Sequence, residues 1–178
     1  TFFGLLFVSF LLQYFVRILQ VGGSENGNSF MGFGLFFALW VVIVAKFSDI
    51  GALLIGKAIG RTKMAPSISP GKTIEGLLGG FAASAGIGAL LPWLFQEKIT
   101  DVVFFGDWIF TPSQGALWGI LLALSAVIGD LIASVLKRLA TMKDSGGAIP
   151  GIGGLFDLTD SLILAAPTGY FILFFLQR

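Results

Sequence analysis

The sequence predicts an all-α fold, a polytopic transmembrane bundle of about five spans, and three observations predict it. Hydrophobic residues make up 56% of the 178-residue chain and charged residues only 12%, where a soluble domain averages about 25% charged. Mean hydropathy is +0.93. The apolar residues also gather into five runs, each near the ~20 residues that a helix needs to cross a bilayer.

Composition excludes several kinds of chemistry. The chain has no histidine, which removes imidazole acid–base catalysis, Ser-His-Asp triads and most zinc sites. It has no cysteine and therefore no disulfide. A net charge of +1 points to no nucleic-acid partner. What remains is Asp, Glu, Lys, Arg, hydroxyls, backbone groups and borrowed metal ions. Residues 1–178 read as one integral-membrane domain, with amino-terminal spans in 1–48 and a catalytic core in 49–178. The chain opens at Thr1 without an initiator Met, so a truncated amino end is expected.

The first span, about Phe2–Val21, has Gln13 and Arg17 as its strongly polar members and reads as a lipid-facing anchor. The second, Phe30–Ile55, carries Lys46, Ser48 and Asp49 well before its basic end. Charges inside a membrane helix are costly and face a protein interior or a wet cavity. Asp49 either pairs with Lys46 at i,i+3 or looks into such a cavity. The third span, Gly76–Phe95, repeats small residues at Gly76, Gly80, Ser84 and Gly88. That stripe lets helices approach backbone to backbone, within one chain or across a homodimer. The fourth, Gly115–Leu136, holds Asp130, which shares a helix face with Ser134, Lys137 and Arg138. The fifth is Leu158–Leu176. Trp93, Trp108 and Phe110, at the ends of the loop between the third and fourth spans, read as interface anchors.

The connecting loops set orientation. Those around Gly56–Glu75 and Lys137–Asp157 are basic, and the others are base-poor. The positive-inside rule then puts the two basic loops in the cytoplasm. The loop Ser69–Gly76 reads SPGKTIEG. It departs from a P-loop because position 66 is Pro and no strand is expected before it. Lys72, Thr73 and the amides near Gly71 still precede a helix start, a place that favours an anion. The stretch Lys143–Asp160 is glycine-rich and ends with Asp157 and Asp160 on one helix face. In this topology Asp49, Asp130, Asp157 and Asp160 fall near the same cytoplasmic surface. Carboxylates near lysines suggest bound Mg²⁺, which takes a few carboxylates plus substrate phosphates. Phosphoryl chemistry of that kind needs positioning and charge neutralisation rather than a histidine base.

These residues carry a resemblance. Ser134 to Arg138 (SVLKR), Lys143-Asp144, Pro150-Gly151, Gly153-Gly154 and Asp157-x-x-Asp160 resemble the signature of the phosphatidate cytidylyltransferases, or CDP-diacylglycerol synthases. Ser69 to Thr73 with Glu75-Gly76, and Asp49 with Gly51-Ala52 and Gly56-Lys57, are similar to two further motifs of that family. The resemblance covers about Asp49 to Ala166. The chain departs from the pattern at Ile152, where the family commonly has His, and at Leu158, where it commonly has Arg.

The resemblance implies a reaction in which CTP and phosphatidate give CDP-diacylglycerol and pyrophosphate. It implies Mg²⁺, as two divalent ions or one with a monovalent cation, with Asp157, Asp160 and Asp130 as ligands. Lys143 and Asp144 join these as catalytic residues. Ser69, Gly71, Lys72, Thr73, Lys137, Arg138 and Asp49 would bind substrate. It also implies a longer amino end, a homodimer and a bacterial inner membrane with the active site facing the cytoplasm. The rival expectations are a CTP-dependent polyprenol or lipid kinase, an inactive homologue, and an ion-coupled transporter using the intramembrane acids.

Overall fold

The computed structural model describes residues 2–20, 30–96, 104–105, 108–139 and 155–176. Its helices are α1 (Phe2–Gln20), α2 (Phe30–Ile59), α3 (Ile74–Gln96), α4 (Pro112–Leu139) and α5 (Leu155–Leu176). Each apolar run of the sequence is thus a helix; α1 follows its run closely, and the other four extend theirs by a few residues. Gly34–Ile59, Ile74–Phe95 and Pro112–Leu139 are long and apolar enough to cross a membrane, and the described apolar part of α5, Asp160–Leu176, is shorter. The chain is a helical integral-membrane protein.

The bundle is all-α as expected, and its connections add two short elements that the sequence did not signal. Two antiparallel hairpins link the helices, β1 (Lys63–Ala65) with β2 (Ser69–Thr73), and β3 (Phe104–Phe105) with β4 (Trp108–Ile109). The first hairpin aligns Lys63 with Thr73 and Ala65 with Ser69. Its turn closes with the Ile68 amide on the Ala65 carbonyl at 3.2 Å. The physical reason lies in the sequence: Pro66 and Pro70 disfavour the helical region for the residues before them. Backbone groups near a membrane surface still need partners, and a hairpin supplies them. SPGKT is therefore a strand running straight into α3.

Helix α3 lies between α2 and α4, and small residues set both spacings. A Cβ on Gly80 would lie 2.9 Å from the Ser48 carbonyl oxygen, and one on Gly119 would lie 2.6 Å from that of Ser84. Gly88 and Gly115 face each other so closely that a Cβ on either would meet the other's carbonyl oxygen. The Ser84 hydroxyl donates to the Val44 carbonyl at 3.2 Å. The stripe read from the sequence therefore packs within the chain, against two helices at once.

The apolar core fills the end of the bundle away from the first hairpin. Trp40, 1% exposed, stacks on Phe37 and meets Phe110 edge-on, with ring centroids 5.3 and 5.1 Å away. Phe110, 3% exposed, is a core residue and not an interface anchor, whereas Trp93 is 56% exposed. Proline at position 92 has no N–H to give the Gly88 carbonyl four residues earlier. The Trp40 indole N–H donates to that freed oxygen at 3.1 Å. A membrane helix that tolerates a proline needs such a replacement donor.

Gly115→Ala is expected to destabilise the bundle by about 2 kcal/mol through overpacking. Gly86, whose Cβ position is open, should accept alanine with a gain of roughly 0.5 kcal/mol. Thermal unfolding of both variants in one detergent checks the opposite signs.

Candidate active site

Three lysine–aspartate pairs gather where α2 and α4 end and α3 and α5 begin. On α2, Lys46 Nζ lies 3.6 Å from Asp49 Oδ2 and donates to the Ser161 hydroxyl of α5 at 2.9 Å. From β2, Lys72 Nζ reaches Asp130 Oδ2 of α4 at 2.6 Å. From α4, Lys137 Nζ donates to Asp160 Oδ2 of α5 at 3.3 Å. The other oxygen of Asp160 accepts the Ser161 amide at 2.7 Å. The Lys137–Asp160 pair is the most enclosed of the three, with side chains 14% and 13% exposed, so its charges are screened least.

The Lys72–Asp130 pair, with Asp49, lines a cavity of about 310 Å³. Asp49 and Leu53 come from α2, Ser69 and Lys72 from β2, Leu77 from α3 and Asp130 from α4. One part of its wall is thus charged and another apolar. Gly71 and Thr73 also line it. The Lys72 ammonium is shielded from solvent, and among the described residues its contact is the ion pair with Asp130.

The structure sorts the residues singled out in the sequence. Asp49, Asp130, Ser69, Gly71, Lys72 and Thr73 share the cavity, while Lys137 and Asp160 form the neighbouring pair. Asp49 does both things expected of it, pairing with Lys46 and lining the cavity. Asp130 finds its partner across the bundle in Lys72, although Lys137 and Arg138 share its helix face. Arg138 Nε donates to the Ile68 carbonyl in the hairpin turn at 2.6 Å. The Thr73 hydroxyl accepts the Gly76 amide at 3.1 Å and so caps α3. The Ile74 amide is also taken, by the Thr62 carbonyl at 2.9 Å. The α3 start therefore offers fewer free donors to an anion than its sequence suggested. Asp157 lies in the first turn of α5, but its side chain is outside the described residues, as is that of Leu158. Lys143, Asp144 and Ile152 are outside them altogether.

Sequence reading missed Ser161 and the contact of Lys46 with it. Lys46 had a signal, a charge inside a span, but its i,i+3 relation to Asp49 explained it too readily. Ser161 is an ordinary hydroxyl beside an acid and had none.

The donor set suits a hard cation held partly by substrate. Among the described residues no three acids converge into a protein-only metal cage. Asp130 on the cavity wall, with Asp160 on the next helix, would offer one or two carboxylates, a number that Mg²⁺ commonly takes together with phosphate oxygens.

The cytidylyltransferase family profile matches residues 1–176. The chain belongs to that family. It is 35% identical to the phosphatidate cytidylyltransferase of Synechocystis, over 94% of this chain and 59% of the relative. It is also 35% identical to the phosphatidate cytidylyltransferase of Chlamydia trachomatis, over 99% of this chain and 54% of the relative. An Escherichia coli protein named as uncharacterised is 38% identical over 79% of this chain and 43% of its own length. The chain spans about half the length of these curated relatives. The family match covers nearly the whole chain and so includes all three lysine–aspartate pairs.

Lys72 and Asp130 should be energetically coupled. Lys72→Met and Asp130→Leu are each expected to destabilise the protein, and the double variant should lose less than their sum by about 1 kcal/mol or more. Chemical or thermal unfolding of the four proteins measures the cycle.

Proposed function

We propose that this chain carries the catalytic part of a CTP:phosphatidate cytidylyltransferase, which makes CDP-diacylglycerol and pyrophosphate. The observation that carries the reading is the meeting of Lys72–Asp130 with Lys137–Asp160 beside a cavity whose wall is part charged and part apolar. One substrate is a lipid phosphate and the other a nucleoside triphosphate; the wall sets the Lys72 ammonium, suited to phosphate, beside apolar Leu53 and Leu77, with the acids Asp49 and Asp130 suited to a cation that phosphates would share. The relatives named phosphatidate cytidylyltransferase support the substrate pair.

In this reading an oxygen of the lipid phosphate attacks the α-phosphorus of CTP in line. The bond from that phosphorus to the bridging oxygen of the β-phosphate breaks, and pyrophosphate leaves with the electron pair. Lys72 and Lys137 hold phosphate oxygens and orient the two groups, since such a reaction depends on positioning and charge stabilisation. Ser69 and the backbone at Gly71 add neutral donors. Asp130 and Asp160, with Asp157, would hold Mg²⁺, directly or through water; when bound it offsets the charge on the two phosphates. Asp49 borders the same space. Lys143 and Asp144 belong to the same signature and complete the proposed set. Arg138 binds substrate through its outer nitrogens in this reading, with Nε anchored to Ile68.

All five helices cross the inner membrane in this reading, with the first hairpin and the paired charges on the cytoplasmic side, where CTP is found. The excess of bases in the loops at that end supports the orientation.

The test is turnover of the purified protein in detergent with phosphatidate, CTP and Mg²⁺. Pyrophosphate and CDP-diacylglycerol should appear and should stop on chelation. CDP with a merely phosphorylated lipid would instead identify a kinase. In the active protein, Asp160→Asn should lower kcat by at least about a hundredfold, on the scale of losing one stabilising group in such a site. Leu131→Ala, beside Asp130, should keep most activity. An active Asp160→Asn enzyme would remove Asp160 from the metal and catalytic roles.

A further inference from the structure

Glu75 belongs to the SPGKTIEG motif but lies outside the cavity lining and the three lysine–aspartate pairs. Glu75 stands in the first turn of α3, three residues after Lys72. An acid there gains a little from the helix dipole wherever its side chain points. This one turns back. Its Oε2 accepts the Arg61 amide at 3.1 Å, and the carboxylate accepts the Thr62 amide at 3.1 Å on Oε1 and 3.2 Å on Oε2. Thr62 in turn accepts the Ile74 amide at 2.9 Å. These bonds close the open end of the β1–β2 hairpin, where Lys63 pairs with Thr73.

Everything between those bonds is the strap that carries Lys72. Residues 61 and 62 lead from the end of α2 into β1, and β2 leads into α3. Arg138 holds the opposite end of the hairpin by the Ile68 carbonyl. Thr73, next to Lys72, is wedged among glycines. A Cβ on Gly60 would lie 2.7 Å from the Thr73 hydroxyl oxygen, and one on Gly76 would lie 2.9 Å from it. The hairpin is therefore pinned at its turn and at its base. The Lys72 ammonium at its far edge is delivered to Asp130 as a consequence.

We infer that Glu75 is a positioning residue, whose carboxylate clasps the Arg61 and Thr62 amides and thereby holds the Lys72 strand over the cavity. It rests on the proposed function only for the meaning of Lys72, not for the clasp itself. A carboxylate near a phosphate-binding lysine otherwise repels the substrate. If Glu75 were only a surface charge, its removal would leave anionic substrates bound equally well or better. As a clasp, its removal weakens them.

Glu75→Gln removes the charge and one of the two carboxylate acceptors while keeping the size. Hydrogen–deuterium exchange on the protein in detergent should show the Arg61, Thr62 and hairpin amides exchanging about tenfold faster, with α4 unchanged. Unchanged exchange overturns the clasp whether or not the protein turns over CTP. In the turnover assay, KM for CTP or for phosphatidate should rise about tenfold, the scale of one charge-assisted bond, with kcat changed less. An unchanged or lower KM for both overturns the positioning role. The effect should also shrink to less than about twofold in a Lys72→Met background, because Glu75 acts through Lys72. Equal losses in both backgrounds would mark general destabilisation and overturn the inference. Absence of turnover in the unmodified protein would count against the proposed function, and the exchange result would then decide the clasp alone.

Discussion

A charge removed from water inside a helix bundle has to find its opposite nearby, because the medium around it screens little. Lys72 and Asp130 meet that demand across three elements, with the lysine on a strand and the acid on α4, and the α3 helix beginning directly after that strand. Breaking either partner leaves the other stranded among helices. The hairpin, the end of α4 and the start of α3 therefore have to keep a fixed relation. The Lys46–Asp49 and Lys137–Asp160 pairs repeat the constraint on α2 and α5. Lys46 also donates to Ser161, the residue after Asp160, so the α2 pair is tied to the start of α5.

Glycine contacts make that arrangement geometrically possible. Lipid gives apolar helices little hydrophobic reason to associate, so close packing of small residues has to supply the attraction. The backbones of α2 and α3 approach at Ser48 and Gly80, and those of α3 and α4 at Gly88 and Gly115. These contacts bring Asp49 and Asp130 to one cavity from opposite sides of α3. At the far end the Pro92 gap is closed by the Trp40 indole, which ties the same two helices to the aromatic core. Polar satisfaction and close packing thus act on the same helix pairs at both ends.

Much of this was legible in the chain. Five apolar runs gave the helices, and the acids inside them marked the site, since Asp49, Asp130 and Asp160 have few reasons to be in a membrane otherwise. The repeat of Gly76, Gly80, Ser84 and Gly88 marked α3 as a packing helix. The sequence left open whether that repeat met a second copy or a neighbouring helix, because a small residue carries no record of what approaches it. The hairpin was hidden for a related reason. Lys63–Ala65 and Ser69–Thr73 are short, and strand pairing is a relation between two segments rather than a pattern within one.

Partner choice was the least readable feature. Asp130 has Lys137 and Arg138 on its own helix face, and spacing alone favours them. Yet those two are i+7 and i+8 away, about 10 Å along the axis, while folding brings Lys72 to 2.6 Å. Lys137 is then left to Asp160, and Arg138 to a carbonyl in the hairpin turn. The same logic hid Glu75. In the chain it is an acid at a helix start, a common and unremarked arrangement. In the fold, the two amides it accepts lie more than ten residues upstream, brought there by the hairpin whose base it closes. Residue types fixed which groups needed partners, and packing decided which partners they received.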